Sequence, residues 1–186
     1  MSWFLLLAGI ALWWGGHLFK RVAPDLREGF GTAGKGLAAA VIVAGLVLMV
    51  IGYRDTPHVN LWFPPLWTVH LNNLLMLVAV GFFAVSHSKG ALRARFRHPQ
   101  LIAVKTWALA HLIVNGDLAA LVLFGGLLAW AVAEVIAINR AEPGWTAPEP
   151  GPWSRDAITA AVTLVAFAVI SVIHAWLGVW PFPGGM

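Results

Sequence analysis

From Leu101 to Asn139 the chain reads LIAVKTWALAHLIVNGDLAALVLFGGLLAWAVAEVIAIN, and only Lys105, Asp117 and Glu134 carry a full charge in it. As one helix this segment would be a rod of roughly 58 Å at 1.5 Å per residue, about twice the thickness of a bilayer's hydrocarbon core. It must therefore break, and the break is written at Asn115-Gly116-Asp117. Gly116 ends one helix, and the Asp117 carboxylate can cap the next by accepting from its orphan N–H groups. Two apolar helices joined by a tight turn, antiparallel neighbours, are expected.

The rest of the chain repeats this pattern. Of 186 residues, 60% are hydrophobic and 11% charged, against roughly 45–50% and about 25% in ordinary soluble domains. A water-soluble fold cannot hide that much apolar surface. The expected architecture is all-α: a polytopic integral membrane helical bundle forming a single transmembrane domain over 1–186. Its helices are expected at about 3–23, 37–53, 66–86, 100–115, 118–139 and 156–180, giving six transmembrane spans, with five as the alternative. The first lacks preceding basic residues and a small-x-small cleavage pattern, so it reads as a retained helix rather than a signal peptide. The Pro- and Gly-rich stretch 140–154 reads as an irregular loop. The run 29–36 has a phosphate-loop flavour without its Gly-Lys-Ser/Thr ending, and reads as a flexible connector.

Threading the six spans sorts the basic residues onto one side. Lys20, Arg21, Arg27, Lys35, Lys89, Arg93, Arg95, Arg97, Arg140 and Arg155 share a face, whereas Arg54 stands alone on the other. By the positive-inside rule the first face is cytoplasmic and both termini lie outside. In a bacterium this means the inner membrane with periplasmic termini. The formal charge of +4 is thereby explained by loops and lipid, and nucleic acid is not an expected partner.

The chain has no cysteine, which excludes disulfides, thiolate metal sites, covalent c-type haem and thiol catalysis. Histidine is left as the main carrier of chemistry. His17, His87 and His98 fall toward the basic face; His70, His111 and His174 fall toward the opposite half, and His58 lies in a loop there. Ligating side chains inside a membrane are costly and mark function by default, although a single one can equally serve as an interhelical hydrogen-bond donor. Trp107, His111 and Asn115 recur at four-residue spacing and form one polar, aromatic stripe expected to turn inward. Lys105 and Glu134, at similar depth, are expected to pair. Arg93, Arg95, Arg97 and His98 end a basic patch suited to lipid headgroups, haem propionates or a prenyl diphosphate. Imidazoles on several helices are a common way to hold a haem, which without cysteine would be haem b.

The runs Arg97-His98-Pro99-Gln100, Trp107-Ala108-Leu109-Ala110-His111 and Asn115-Gly116-Asp117-Leu118-Ala119, with Gly15-Gly16-His17-Leu18 and His174, resemble the NnrU family of bacterial membrane proteins over nearly the whole chain. That family is associated with denitrification and nitric oxide metabolism. A related branch, zeta-carotene isomerase, uses haem b to isomerise a cis double bond. The resemblance implies haem ligation by His17 and His111. The isomerase carries a cysteine three residues before its later histidine; Ala108 stands there in this chain, so no ligand switch through a thiol is available.

The sequence thus leads to a haem-b-binding membrane protein whose cofactor-binding candidates are His17, His70, His98, His111, His174, Arg97, Trp107 and Asn115. Its expected chemistry is that of an oxidoreductase or isomerase acting on nitrogen oxides or a lipophilic isoprenoid. The bilayer, haem and a lipophilic small molecule are the expected partners, with a protein partner or homo-oligomer left open. The alternative is a non-catalytic assembly subunit of a membrane respiratory complex.

Overall fold

In hydrocarbon no water is present to satisfy backbone N–H and C=O groups, so a spanning segment must satisfy them internally, and an apolar chain does this as helices. The computed structural model describes residues 1–184 and bears this out. Seven α-helices follow one another among these residues: α1 (Ser2–Val22), α2 (Pro24–Gly29), α3 (Ala33–Asp55), α4 (Thr68–His87), α5 (Pro99–Val114), α6 (Leu118–Ala141) and α7 (Trp153–Trp176). A short 3₁₀ turn, Leu92–Arg95, precedes α5. Five helices, α1, α3, α4, α6 and α7, are long and apolar enough to cross a membrane. The sixth expected span, α5, has 16 residues and reaches about 24 Å, short of the roughly 30 Å core. The protein is a multi-pass membrane protein.

Boundaries follow local chemistry. The long apolar segment breaks where expected: α5 ends at Val114, and the Asp117 carboxylate accepts from the Ala120 N–H at 2.9 Å to cap α6. Pro24 does not simply stop the first helix; it opens α2 at the position where its missing N–H costs nothing. The glycine-rich run is less of a connector than expected. Gly31, at φ 52°, makes the turn, and Ala33 to Gly36 already form the first turn of α3. At the other end α7 stops at Trp176 rather than near 180, with Gly178 at φ 86° just beyond it.

The chain divides into two compact units. The first comprises Met1–Trp62 and Asp117–Pro143. In it α1 and α3 run antiparallel in backbone-to-backbone contact, made possible by glycine. A methyl placed on Gly9 would sit 2.6 Å from the Met49 nitrogen, and one on Gly45 would sit 2.9 Å from both the Gly9 carbonyl oxygen and the Trp13 nitrogen. One on Gly52 would collide with the backbone of Leu6. Small residues that let helices approach closely are the usual basis of association in lipid, where apolar burial gives no drive. α6 lies parallel to α1: the Trp14 indole N–H donates to the Gly126 carbonyl at 3.1 Å, and Gly126 leaves room for Ile10. The loop after α3 pairs with the start of α6 through Leu118 N–H to Val59 C=O, 2.9 Å.

The second unit comprises Phe63–Gly116 and Gly144–Met186. Here α4 is central, with α5 and α7 packed against it. At its basic end the buried Asp156 carboxylate, in the first turn of α7, accepts from the N–H groups of Ala91 at 2.8 Å and Leu92 at 3.2 Å. This one side chain anchors the turn between α4 and α5. Glycine at position 90 is required, because a methyl there would collide with the same carboxylate. Thr159 and Ser88 add a hydroxyl–hydroxyl bond of 2.8 Å across α7 and the end of α4.

Two outcomes follow. Gly52→Ala or Gly45→Ala pushes α1 from α3 and should cost about 1–3 kcal/mol, read as a lower midpoint in detergent unfolding, whereas Gly36→Ala, which meets nothing, should leave the midpoint in place. Asp156→Ala strands two backbone donors at about 1–3 kcal/mol, and Asp156→Asn, which keeps one acceptor oxygen, should lose less in the same assay.

Candidate functional site

In the first unit, residues 13, 17 and 21 of α1 share a face by their four-residue spacing; Trp13 and His17 meet Trp130 of α6, and Arg21 acts on Glu134. The His17 ring is held by its own helix: Nδ1 lies 2.9 Å from the Trp13 carbonyl oxygen. A carbonyl can only accept, so Nδ1 carries the proton and Nε2 keeps a lone pair. Trp13 and Trp130 flank the imidazole, with ring centroids 4.4 Å and 4.5 Å away and planes tilted by 41° and 59°. The two indoles meet each other edge-on at 5.3 Å. The Nε1 donors of both are buried with no hydrogen-bond partner, as is Oε2 of Glu134. Such orphans are expensive in a low-dielectric interior, and here two of them belong to the rings that flank one histidine. Toward the basic end Arg21 pairs with Glu142 at 2.9 Å and acts electrostatically on Glu134. Arg21 is the charged neighbour Glu134 has within its own unit; Lys105, the expected partner, belongs to the second.

In the second unit the Trp107–His111–Asn115 stripe exists as a continuous ladder along α5. His111 Nδ1 lies 2.9 Å from the Trp107 carbonyl, and the Asn115 side-chain amide donates to the His111 carbonyl at 2.8 Å. The rings of Trp107 and His111 are 5.1 Å apart at 51°. His174 on α7 repeats the device, its Nδ1 2.8 Å from the Ile170 carbonyl. His174 and His111 interact electrostatically. Both fall in the last turn of their helices, at the end of the unit opposite the basic turn.

The remaining candidates are less enclosed. His70, in the first turn of α4, lies at that same end of the unit but is exposed rather than turned inward. His98 is half-buried as the residue preceding Pro99 at the start of α5, and it makes no side-chain cap on that helix. Arg97 is half-buried beside it. Among the described residues no three His, Asp or Glu side chains converge into a metal-ligand cluster. A haem iron, held mainly by its macrocycle, asks the protein for only one or two ligands.

Two features were hidden from sequence reasoning. Trp13 and Trp130 are not among the sequence-derived candidates, although the i, i+4 relation of Trp13 to His17 and of Trp130 to Glu134 was available as a signal. Asp156 was passed over because its partners, the N–H groups of Ala91 and Leu92, lie more than sixty residues away and carry no side-chain signature.

No curated protein and no solved structure matches this chain. A family described as NnrU protein matches residues 5–181, a span that holds every histidine placed above. Nearly the whole sequence is covered, the helices are those of a multi-pass membrane protein, and the chain belongs to the NnrU family.

Proposed function

We propose that this protein binds haem b within the membrane, with His17 and His111 as candidate iron ligands. One observation carries the reading: three intramembrane histidines, His17, His111 and His174, all direct Nδ1 at the carbonyl four residues earlier. That bond fixes the tautomer, orients the ring and leaves Nε2 as the nitrogen with a lone pair, the arrangement that prepares an imidazole to bind iron. Two features beside His17 support the reading. Trp13 and Trp130 offer flat apolar faces, and their two unpaired indole N–H groups supply donors for a carboxylate or a small polar ligand.

Bound haem would supply one-electron chemistry and a metal centre for small ligands. The chain's own part is to hold the imidazoles, exclude water and present the indole donors. Membership in the NnrU family supports a redox or isomerase role, on nitrogen oxides or on a lipophilic isoprenoid. The reading of the chain as an assembly subunit, with its histidines serving only as interhelical donors, is disfavoured by these three rings, because each spends its Nδ1 proton within its own helix.

Protein purified from haem-replete cells should show a Soret band. His17→Ala and His111→Ala should each abolish or shift it, and His87→Ala, which alters an exposed ring, should not. A low-spin spectrum would indicate two strong axial ligands and a high-spin one an open position. Colourless protein overturns the proposal.

A further inference from the structure

A second feature lies at the end of the second unit opposite His111 and His174. Along the basic-end half of the second unit, α4 and α7 diverge around a groove of about 470 Å³, within the roughly 300–1,000 Å³ of ordinary ligand sites. Its walls include Leu77, Gly81, Leu92, Phe96, Ala160 and Leu164. The groove exists because Gly81 and Ala160 have almost no side chain where α4 faces α7. Thr159 and Thr163 also line it, but their hydroxyls are turned back onto the carbonyls of Arg155 and Thr159 at 2.9 Å and 2.8 Å. The surface offered to a ligand is therefore almost wholly apolar.

Its length and its mouth say what fits. From Leu77 to Val85, and from Asp156 to Leu164, the walls run about 12 Å at 1.5 Å per residue. This is close to the depth of one hydrocarbon leaflet, about 15 Å as half of the whole core. At the mouth stands the Leu92–Arg95 turn. Leu92 and Phe96 enter the groove wall, and Arg93 and Arg95 stand between them in the chain. Both guanidinium groups are pre-positioned: Arg93 donates to the Phe96 carbonyl at 3.0 Å, and Arg95 lies over the Trp153 ring at 5.7 Å. Neither bond uses all five donors of a guanidinium. Trp153 is 61% exposed, as an indole at headgroup level would be. Lys89 and Arg155 add exposed positive charge at the same end. Asp156, the acid among the groove's lining residues, is already bonded to the N–H groups of Ala91 and Leu92.

From this we infer that the groove is a specific site for one anionic glycerophospholipid of the leaflet on the basic side. One acyl chain lies between α4 and α7, and the phosphate sits at Arg93 and Arg95. An apolar slot one leaflet deep, closed at the headgroup level by fixed arginines, matches an anionic lipid and not a zwitterionic one. The inference is independent of haem binding.

Native mass spectrometry of the full chain released from detergent tests it, with phosphatidylglycerol and phosphatidylcholine of identical acyl chains as probes. Wild type should retain one phosphatidylglycerol, favoured roughly tenfold or more over phosphatidylcholine. The double substitution Arg93→Gln with Arg95→Gln should erase the preference, with helicity by circular dichroism unchanged. Gly81→Leu, or Ala160→Leu should the first fail to fold, should block uptake of both lipids by filling the slot. Equal retention of the two lipids overturns the proposal. So does a preference that survives the arginine substitutions, uptake unaffected by filling the groove, or displacement of phosphatidylglycerol by a polyprenyl monophosphate.

Discussion

A polar group in hydrocarbon has no water to turn to, and leaving one unpartnered costs several kcal/mol. The polar side chains along this protein's spans largely answer to that constraint. His17, His111 and His174 donate to their own helix, Thr163 and Ser171 turn their hydroxyls back by one turn, and Asp117 and Asp156 are consumed by backbone N–H groups. Against that background of satisfied groups, the exceptions gain meaning. Among the described residues the indole N–H groups of Trp13 and Trp130 and one oxygen each of Asn72 and Glu134 have no partner, and two of these four belong to the rings that flank His17.

The same constraint explains how the helices associate. Burying leucine against leucine gains little when the alternative is lipid, so α1 and α3 rely on close backbone approach at Gly9, Gly45 and Gly52. That contact fixes the face α1 shows to α6, and with it the position of His17 between two tryptophans. In the second unit the role passes to Asp156. By holding the turn after α4 it fixes where the Leu92–Arg95 segment stands, and so couples an apolar groove to a basic rim. Structural residues in this protein thus decide the geometry of chemical ones.

Much of the architecture was legible because lipid imposes a simple code. Apolar runs near 20 residues gave five of the spans, and Gly116 and Asp117 gave the break between α5 and α6. The Trp107–His111–Asn115 stripe was legible for the same reason: a four-residue repeat on a helix is local geometry. Less legible were the ends governed by weak preferences. Ala33 to Gly36 became helix despite two glycines, and α7 stopped four residues short of Trp180, where Gly178 takes a left-handed turn.

By itself the sequence determined that this chain folds as membrane-spanning helices, where its longest apolar segment breaks, and that no thiol is present. Those properties depend on composition and on spacing within one helix, which the chain carries locally. Only the tertiary structure decided that Trp130 rather than another aromatic meets His17, that Asp156 reaches the α4–α5 turn, and that Gly81 and Ala160 open a groove. The physical reason is that each of these joins residues more than sixty positions apart. Their meeting is set by how closely helix backbones can approach, not by any pattern along the chain.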